Sequence, residues 1–379
     1  MPPAAHIDVA SIDHDRILNA AEEYLKQPPV TLTAFAAPQS PGGVHDFYSE
    51  ASDWWPDTSA PSGTYVRRQG AENPKAFNGH SDSLLHMAIH MPTLTAAYLL
   101  TRDARYADHA ASHLRAWFVD PHQRMTPNLS YGQMIPGNPA NRMEGIIEAV
   151  HLAEVAQAAS YLTHYDGLAP GELKAIYAWF TAYFDWLTTS RLAGLARDQK
   201  NHHGSSWLLQ AAAITRLLPG TSDTGDNGLA ALQHQFKAVT IRAQIRADGS
   251  LQHELTSINP YRNSLFNLDM LAGACSLLSS RFENLWNYEL QDGPGIRVAV
   301  AWHFPFIQDR SRWPYPADAT HFNDLPLRQP SLLLAGRAYS RSEYIELWKR
   351  LNPDPVDPIL QRVFPIRQPL LWVRRTPAL

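Results

Sequence analysis

From Asp82 onward the chain is a succession of apolar segments at helical spacing, separated by Gly and Pro breakers. Ser83–Thr101 carries apolar residues at that period, and Pro92 is expected to kink or break the helix. Arg105–Val119, Gly145–Leu162, Gly171–Leu187, Ser205–Leu218 and Leu229–Ile245 follow the same pattern. It continues through Leu265–Ser279, Arg297–Trp302, Ser331–Tyr339 and Ser342–Leu351, with breakers such as Leu218-Pro219-Gly220 and Gln291-Asp292-Gly293-Pro294-Gly295. Strand-like alternation is confined to Thr64–Arg67 and to the surroundings of Gly249-Ser250-Leu251. Helix after helix with short connections predicts antiparallel pairs. The expected fold is therefore all-α, an α/α toroid or incomplete α/α barrel with little β structure. A helix at Asp13–Leu25 leads into the Pro/Gly/Ser-rich segment Pro38–Pro74, whose aromatic content suits a folded loop over a cleft. No linker stands out, so one domain over residues 1–379 is expected.

Composition narrows the partners. With 45% hydrophobic and 18% charged residues the chain is a folded globular protein. A formal charge of −4 exerts no global pull on polyanions, so an acidic ligand needs a locally basic cleft. No Lys/Arg cluster with interleaved aromatics points to nucleic acid, and no apolar run is long enough to span a membrane. The single cysteine, Cys275, sits in an apolar run and is expected to be a small buried hydrophobe. Met1-Pro2-Pro3-Ala4-Ala5-His6 has neither the basic nor the apolar region of a secretory leader. That leaves open a cytoplasmic protein or a mature form, and oligomeric state is equally open. Eleven Trp residues, several beside loop prolines as in Asp53-Trp54-Trp55-Pro56, offer flat faces for sugar rings or for packing under long loops.

The chemistry gathers in two stretches. Asn201-His202-His203-Gly204 places an amide and two imidazoles at the start of an apolar helix, and Glu254, Tyr261 and Arg262 precede a second one. Cleaving a uronic-acid polymer by elimination needs these groups. A base must take the weakly acidic C5 proton, donors must neutralise the adjacent carboxylate, and an acid must protonate the departing O4. Where H5 and O4 share a face of the ring, one tyrosine can make both transfers, and protein donors on the carboxylate make a metal unnecessary.

The run Asn201-His202-His203-Gly204-Ser205-Ser206-Trp207 resembles the Asn-Asn-His-Gly motif of the alginate lyase family, helical toroids that degrade alginate and related polyuronates. The resemblance covers most of the chain, through Tyr48-Ser49-Glu50, Trp54-Trp55-Pro56, Leu114-Arg115-Ala116-Trp117-Phe118, Asn128–Gln133 and Ser264–Asp269. It implies a catalytic His203 and a catalytic Tyr261, with an Asn and an Arg close by to bind the carboxylate. Two positions depart from the pattern. His202 stands where the family has its second Asn, and Ser257 where an Arg usually follows the Glu-Leu pair. The expected carboxylate subsite is thus Asn201, a protonated His202 and Arg262.

Further expectations are graded by residue type. Trp54 and Trp55 are candidates for stacking on sugars. His80, Asn128, Tyr131, Gln133 and Arg142 suit a polar cleft lining or ordinary loop and cap positions. Glu254 either orients an imidazole or is a solvated charge. The pairs His86/His90 and His109/His113 have the i, i+4 spacing of metal ligands but lack an obvious third ligand. They are read as amphipathic helix surface, and neither metal nor cofactor is expected. The substrate partner is an acidic polysaccharide. Two other readings remain, namely a glycoside hydrolase using a pair from Glu50, Asp53, Glu148 and Glu254, and a non-catalytic carbohydrate-binding protein.

Overall fold

A computed structural model describes residues 7–60, 63–220 and 228–373, so Met1–His6 lies outside the described residues. The chain divides into two compact units, residues 13–196 and residues 197–379 with the first twelve. Helix is the dominant structure, at 58%.

In the unit of residues 13–196, helix α1 (Val9–Tyr24, begun in the other unit) precedes the loop-rich segment. Three short strands fold that segment: β1 (Tyr48–Glu50), β2 (Trp54–Pro56) and β3 (Tyr65–Arg67). β2 and β3 form an antiparallel hairpin in which Trp54 faces Arg67 and Trp55 faces Val66. The helices are α2 (Gly79–Thr101), α3 (Ala104–Leu114), α4 (Leu152–Leu162), α5 (Pro170–Thr189) and α6 (Arg191–Arg197), the last running into the other unit. α2 runs on through Pro92, where a kink or break was expected. Its apolar residues pack on α3 and α4.

β4 (Tyr131–Met134) pairs in parallel with β1. The expected helix from Gly145 begins instead as a tight 3-10 stretch, Met143–Ala149. Gly132 and Gly145 explain this, since a Cβ on Gly145 would lie 2.7 Å from the Gly132 carbonyl oxygen. Only two glycines allow that approach of strand to turn.

In the other unit, α7 (His202–Leu217) and α11 (Pro260–Leu278) form the central pair, almost wholly buried along their lengths. Between them come α8 (Leu229–His234), a π-helical stretch Gln235–Ile241, α9 (Arg242–Gln244) and α10 (Gln252–Leu255). From Leu229 to Gln244 these stretches follow without a gap, matching the one helix that periodicity predicts over Leu229–Ile245. α12 (Ile296–Gln308), α13 (Pro330–Ala338) and α14 (Ser342–Arg350) complete the layer, with α13 packed on both α11 and α14. Cys275 is buried in α11, as expected. The strand expected near Gly249 is a turn, because Gly249 has φ +96° and the Asp248 carboxylate accepts both the Ser250 N–H and its hydroxyl. Among the described residues no helix is long and apolar enough to cross a membrane.

Candidate active site

Asn201 opens the site. Its extended backbone places its side-chain oxygen to accept the His203 N–H at 3.1 Å, capping α7. Gly204 lets this turn close, since a Cβ there would sit 2.2 Å from the Gln199 carbonyl oxygen. His202 and His203 thereby occupy the first turn of a 16-residue helix, at the positive end of its dipole. Their rings lie 4.3 Å apart, centroid to centroid.

Glu254, from α10, closes on this turn from 52 residues away. Its Oε1 accepts the His202 backbone N–H at 2.6 Å, and its Oε2 lies 2.8 Å from His202 Nδ1. A carboxylate can only accept, so Nδ1 carries the proton. Nε2 has no hydrogen-bond partner among the described residues, and the His202 side chain is 14% exposed while Glu254 is 1% exposed. The expected imidazole for Glu254 is therefore present, and it is the one belonging to His202. His203 Nδ1 lies 3.3 Å from the Asn201 side-chain oxygen.

Behind Glu254 is a buried set that sequence reasoning did not single out. Asn267 Nδ2 donates to Glu254 Oε1 and to Gln244 Oε1, each at 2.9 Å, and the Ser205 hydroxyl donates to Gln244 Oε1 at 3.1 Å. A signal for Asn267 existed in a polar amide interrupting the apolar run of α11, because buried polar groups keep partners.

Tyr261 corrects an expectation. The phenol is fully buried, donates to the Phe306 carbonyl oxygen at 2.9 Å, and has the Trp313 and Phe322 rings 5.0 and 5.4 Å away. Its backbone N–H is held by Asp318 at 2.8 Å. Burial raises the phenol pKa well above its ordinary value. Covered by those rings and committed to a carbonyl, the phenol packs here and does not lie open to a ligand as a catalytic tyrosine was expected to. Arg262 is half-buried, with its backbone N–H on Asp318 and Nη1 3.2 Å from the Thr320 hydroxyl.

The other sequence candidates lie in the unit of residues 13–196. His80 is not a cleft residue. It is 2% exposed, its Nδ1 accepts the Tyr48 N–H at 3.0 Å and its Nε2 donates to the Phe35 carbonyl at 3.0 Å, a neutral linker whose pKa burial lowers. Trp54, Trp55, Asn128, Tyr131, Gln133 and Arg142 are all half-buried. The Arg68 guanidinium covers the Trp55 ring at 5.1 Å. Gln133, with φ +56°, donates to Glu148 at 2.5 Å, and its carbonyl accepts from Arg142. Asn128 caps its own turn at Ser130. The carboxylates weighed for hydrolysis have partners of their own, Glu50 on Tyr48 and the Phe77 N–H, Asp53 on Arg67, and Glu148 on Ser49 and Gln133.

The histidine pairs of α2 and α3 are also corrected. His90 and His113 are buried rather than on a helix surface, in a row of imidazoles where His86 and His90 lie 3.7 Å apart, His90 and His113 5.9 Å, and His109 and His113 5.4 Å. Tyr24 stacks on His90 at 3.8 Å. His113 has neither ring nitrogen hydrogen-bonded. Burial lowers the pKa of His90 to about 2 and that of His113 to about 3. Among the described residues no group of three or more His, Cys, Asp or Glu is arranged to hold a metal ion.

The profile of the alginate lyase family matches residues 31–313. A crystal structure of an alginate lyase from Bacteroides ovatus is 26% identical, with a TM-score of 0.79 over 93% of both chains. Alginate lyase A1-III of Sphingomonas species A1, solved as a variant complexed with a tetrasaccharide, shares the fold at 15% identity and a TM-score of 0.55, over 95% of this chain and 94% of that one. Curated proteins include no match. The all-α, toroid-class expectation agrees with these neighbours and with the scarcity of strand.

Proposed function

The chain belongs to the alginate lyase family and is a polysaccharide lyase, and we propose that it cleaves a β-1,4-linked polyuronate, alginate or glucuronan, by β-elimination at the mouth of α7. The observation that carries this reading is the capped helix start bearing His202 and His203, with Glu254 holding one imidazole by its Nδ1.

The chemistry follows from those groups. In this proposal the uronate carboxylate sits against the positive end of α7, with the Asn201 side-chain amide and Arg262 as its donors. Delocalising charge onto a neutralised carboxylate stabilises the carbanion formed at C5. A neutral imidazole of the pair removes H5. As imidazolium it returns that proton to O4 while the C4–O4 bond breaks and a C4=C5 double bond forms. One imidazole serves both transfers when H5 and O4 share a face, as in mannuronate and glucuronate. Protein donors do the neutralising, so no metal enters the step.

The test is a panel of polymannuronate, polyguluronate and glucuronan, assayed for the ultraviolet-absorbing unsaturated end. At least one polymer should yield it, and His203→Ala should lower the rate by about 100-fold or more. No unsaturated product from any polymer, or chain cleavage giving only saturated ends, overturns the proposal.

A further inference from the structure

Two imidazoles share the mouth of α7, and the buried groups behind them treat the two differently. His203 Nδ1 lies 3.3 Å from the Asn201 side-chain oxygen, an amide oxygen already engaged as a helix cap. His202 is gripped twice by one carboxylate, through its backbone N–H and through Nδ1. That carboxylate is itself anchored, because Asn267 Nδ2 bridges Glu254 Oε1 and Gln244 Oε1, and Ser205 holds Gln244. Four helices contribute: α7 gives His202 and Ser205, α9 gives Gln244, α10 gives Glu254 and α11 gives Asn267. Ser205, Gln244, Glu254 and Asn267 are all buried.

The orientation of Asn267 is the telling detail. Its side-chain oxygen is buried with no hydrogen-bond partner, while its Nδ2 serves two acceptors. Turning the amide over would direct an oxygen at Glu254 Oε1 and Gln244 Oε1, acceptor against acceptor. The amide thus leaves one of its own acceptors unmet in order to donate to the carboxylate, a local cost of the kind found where a site is being held in place.

We infer that Asn267 and Gln244 are positioning residues which lock Glu254, and that Glu254 in turn fixes His202 with Nδ1 protonated and Nε2 outward, making His202 Nε2 the atom that handles the C5 proton. This assigns His202 a different role from the protonated carboxylate binder expected from sequence, and it rests on the lyase reading only for the identity of the proton. His203 then stands beside it with Asn201, on the carboxylate side of the reaction. The relay explains why a histidine is tolerated where the family pattern has an amide: a buried carboxylate lies directly behind that position.

The experiment separates this inference from the function itself. Nitrogen-15 histidine labelling of the whole chain, with two-bond proton–nitrogen correlation, reads the tautomer of His202 without any substrate, and His202→Gln identifies its signals. Wild type should show a protonated Nδ1 and, at alkaline pH, an unprotonated Nε2. Glu254→Gln, nearly isosteric, should replace that single tautomer with a mixture, and Asn267→Leu should broaden it. On a polyuronate that the enzyme cleaves, both substitutions should lower kcat tenfold or more with KM within about twofold. If wild-type His202 carries its proton on Nε2, or if both variants keep the wild-type tautomer, the inference fails even though the protein cleaves polyuronate. Should Asn267→Leu not fold, Glu254→Gln alone decides. If no polyuronate is cleaved, the tautomer measurement still upholds or overturns the positioning.

Discussion

Two regions of this molecule are rich in histidine and put that residue to opposite ends. At the mouth of α7, His202 keeps one nitrogen on a buried carboxylate and the other without a partner, with part of the ring exposed. Between α2 and α3, His90 and His113 are buried in a row of rings, and His90 Nδ1 and both His113 nitrogens make no hydrogen bond. The first arrangement leaves one ring nitrogen with its lone pair unengaged among the described residues. The second excludes protons, since burial without an acceptor disfavours the charged ring. Residue type and spacing are alike in the two places; burial and a partner decide the chemistry.

The sharpest way to break the comparison is acid. Both buried rings have folded pKa values depressed far below the ordinary 6.5, so an unfolded chain binds protons that the folded chain refuses. Their contribution is complete above about pH 6.5 and is lost progressively below it. At roughly 1.4 kcal/mol per pH unit for each group, His90 and His113 together should cost up to about 4 kcal/mol between pH 6.5 and 5. Asp269, buried with its pKa raised from 3.8 to about 7, runs the other way throughout that range and offsets part of the loss. The difference between wild type and His90→Phe in thermal melts isolates the imidazole, and the variant should show the shallower loss on acidification.

Next in size is activity. His202→Ala should lower turnover by about 100-fold or more, equivalent to about 2.7 kcal/mol, whereas His90→Phe at pH 7.5 should stay within about twofold of wild type. Equal losses in both variants would erase the distinction drawn between the regions. The smallest effect is at Tyr261. Removing its hydroxyl forfeits one buried hydrogen bond to Phe306, so Tyr261→Phe should cost about 1 kcal/mol in urea unfolding and leave kcat within about twofold. A collapse of turnover with unchanged stability would restore the phenol to the reaction.

The elements that sequence made legible were those whose cause is local. Amphipathic periodicity located α2, α3, α5, α7, α11, α13 and α14 closely, because burying one face of a helix demands apolar residues every three to four positions. Where long-range contact decided, the reading slipped. The segment after Gly145 is a 3-10 turn because Gly132 presses on it, and the strands β1 and β4 pair across 83 residues. The site divides in the same way. A capping Asn followed by two histidines and a glycine before an apolar run is visible in the chain, and so is the family resemblance it carries. That Glu254 reaches His202, and that Asn267 and Gln244 hold Glu254, depends on four helices meeting.

Tyr261 marks the boundary most clearly. Its position after a proline at a helix start, close to Arg262, fits a reactive phenol and a packing ring equally well, because the string of residues carries no record of what lies over a side chain. Local propensity and capping were enough for the helices, the class of fold and the helix mouth that bears the imidazoles. Only the packed molecule settled which ring is sealed beneath Trp313 and Phe322 and which His202 nitrogen is held by Glu254, since burial and hydrogen-bond partnership arise between segments far apart in the chain.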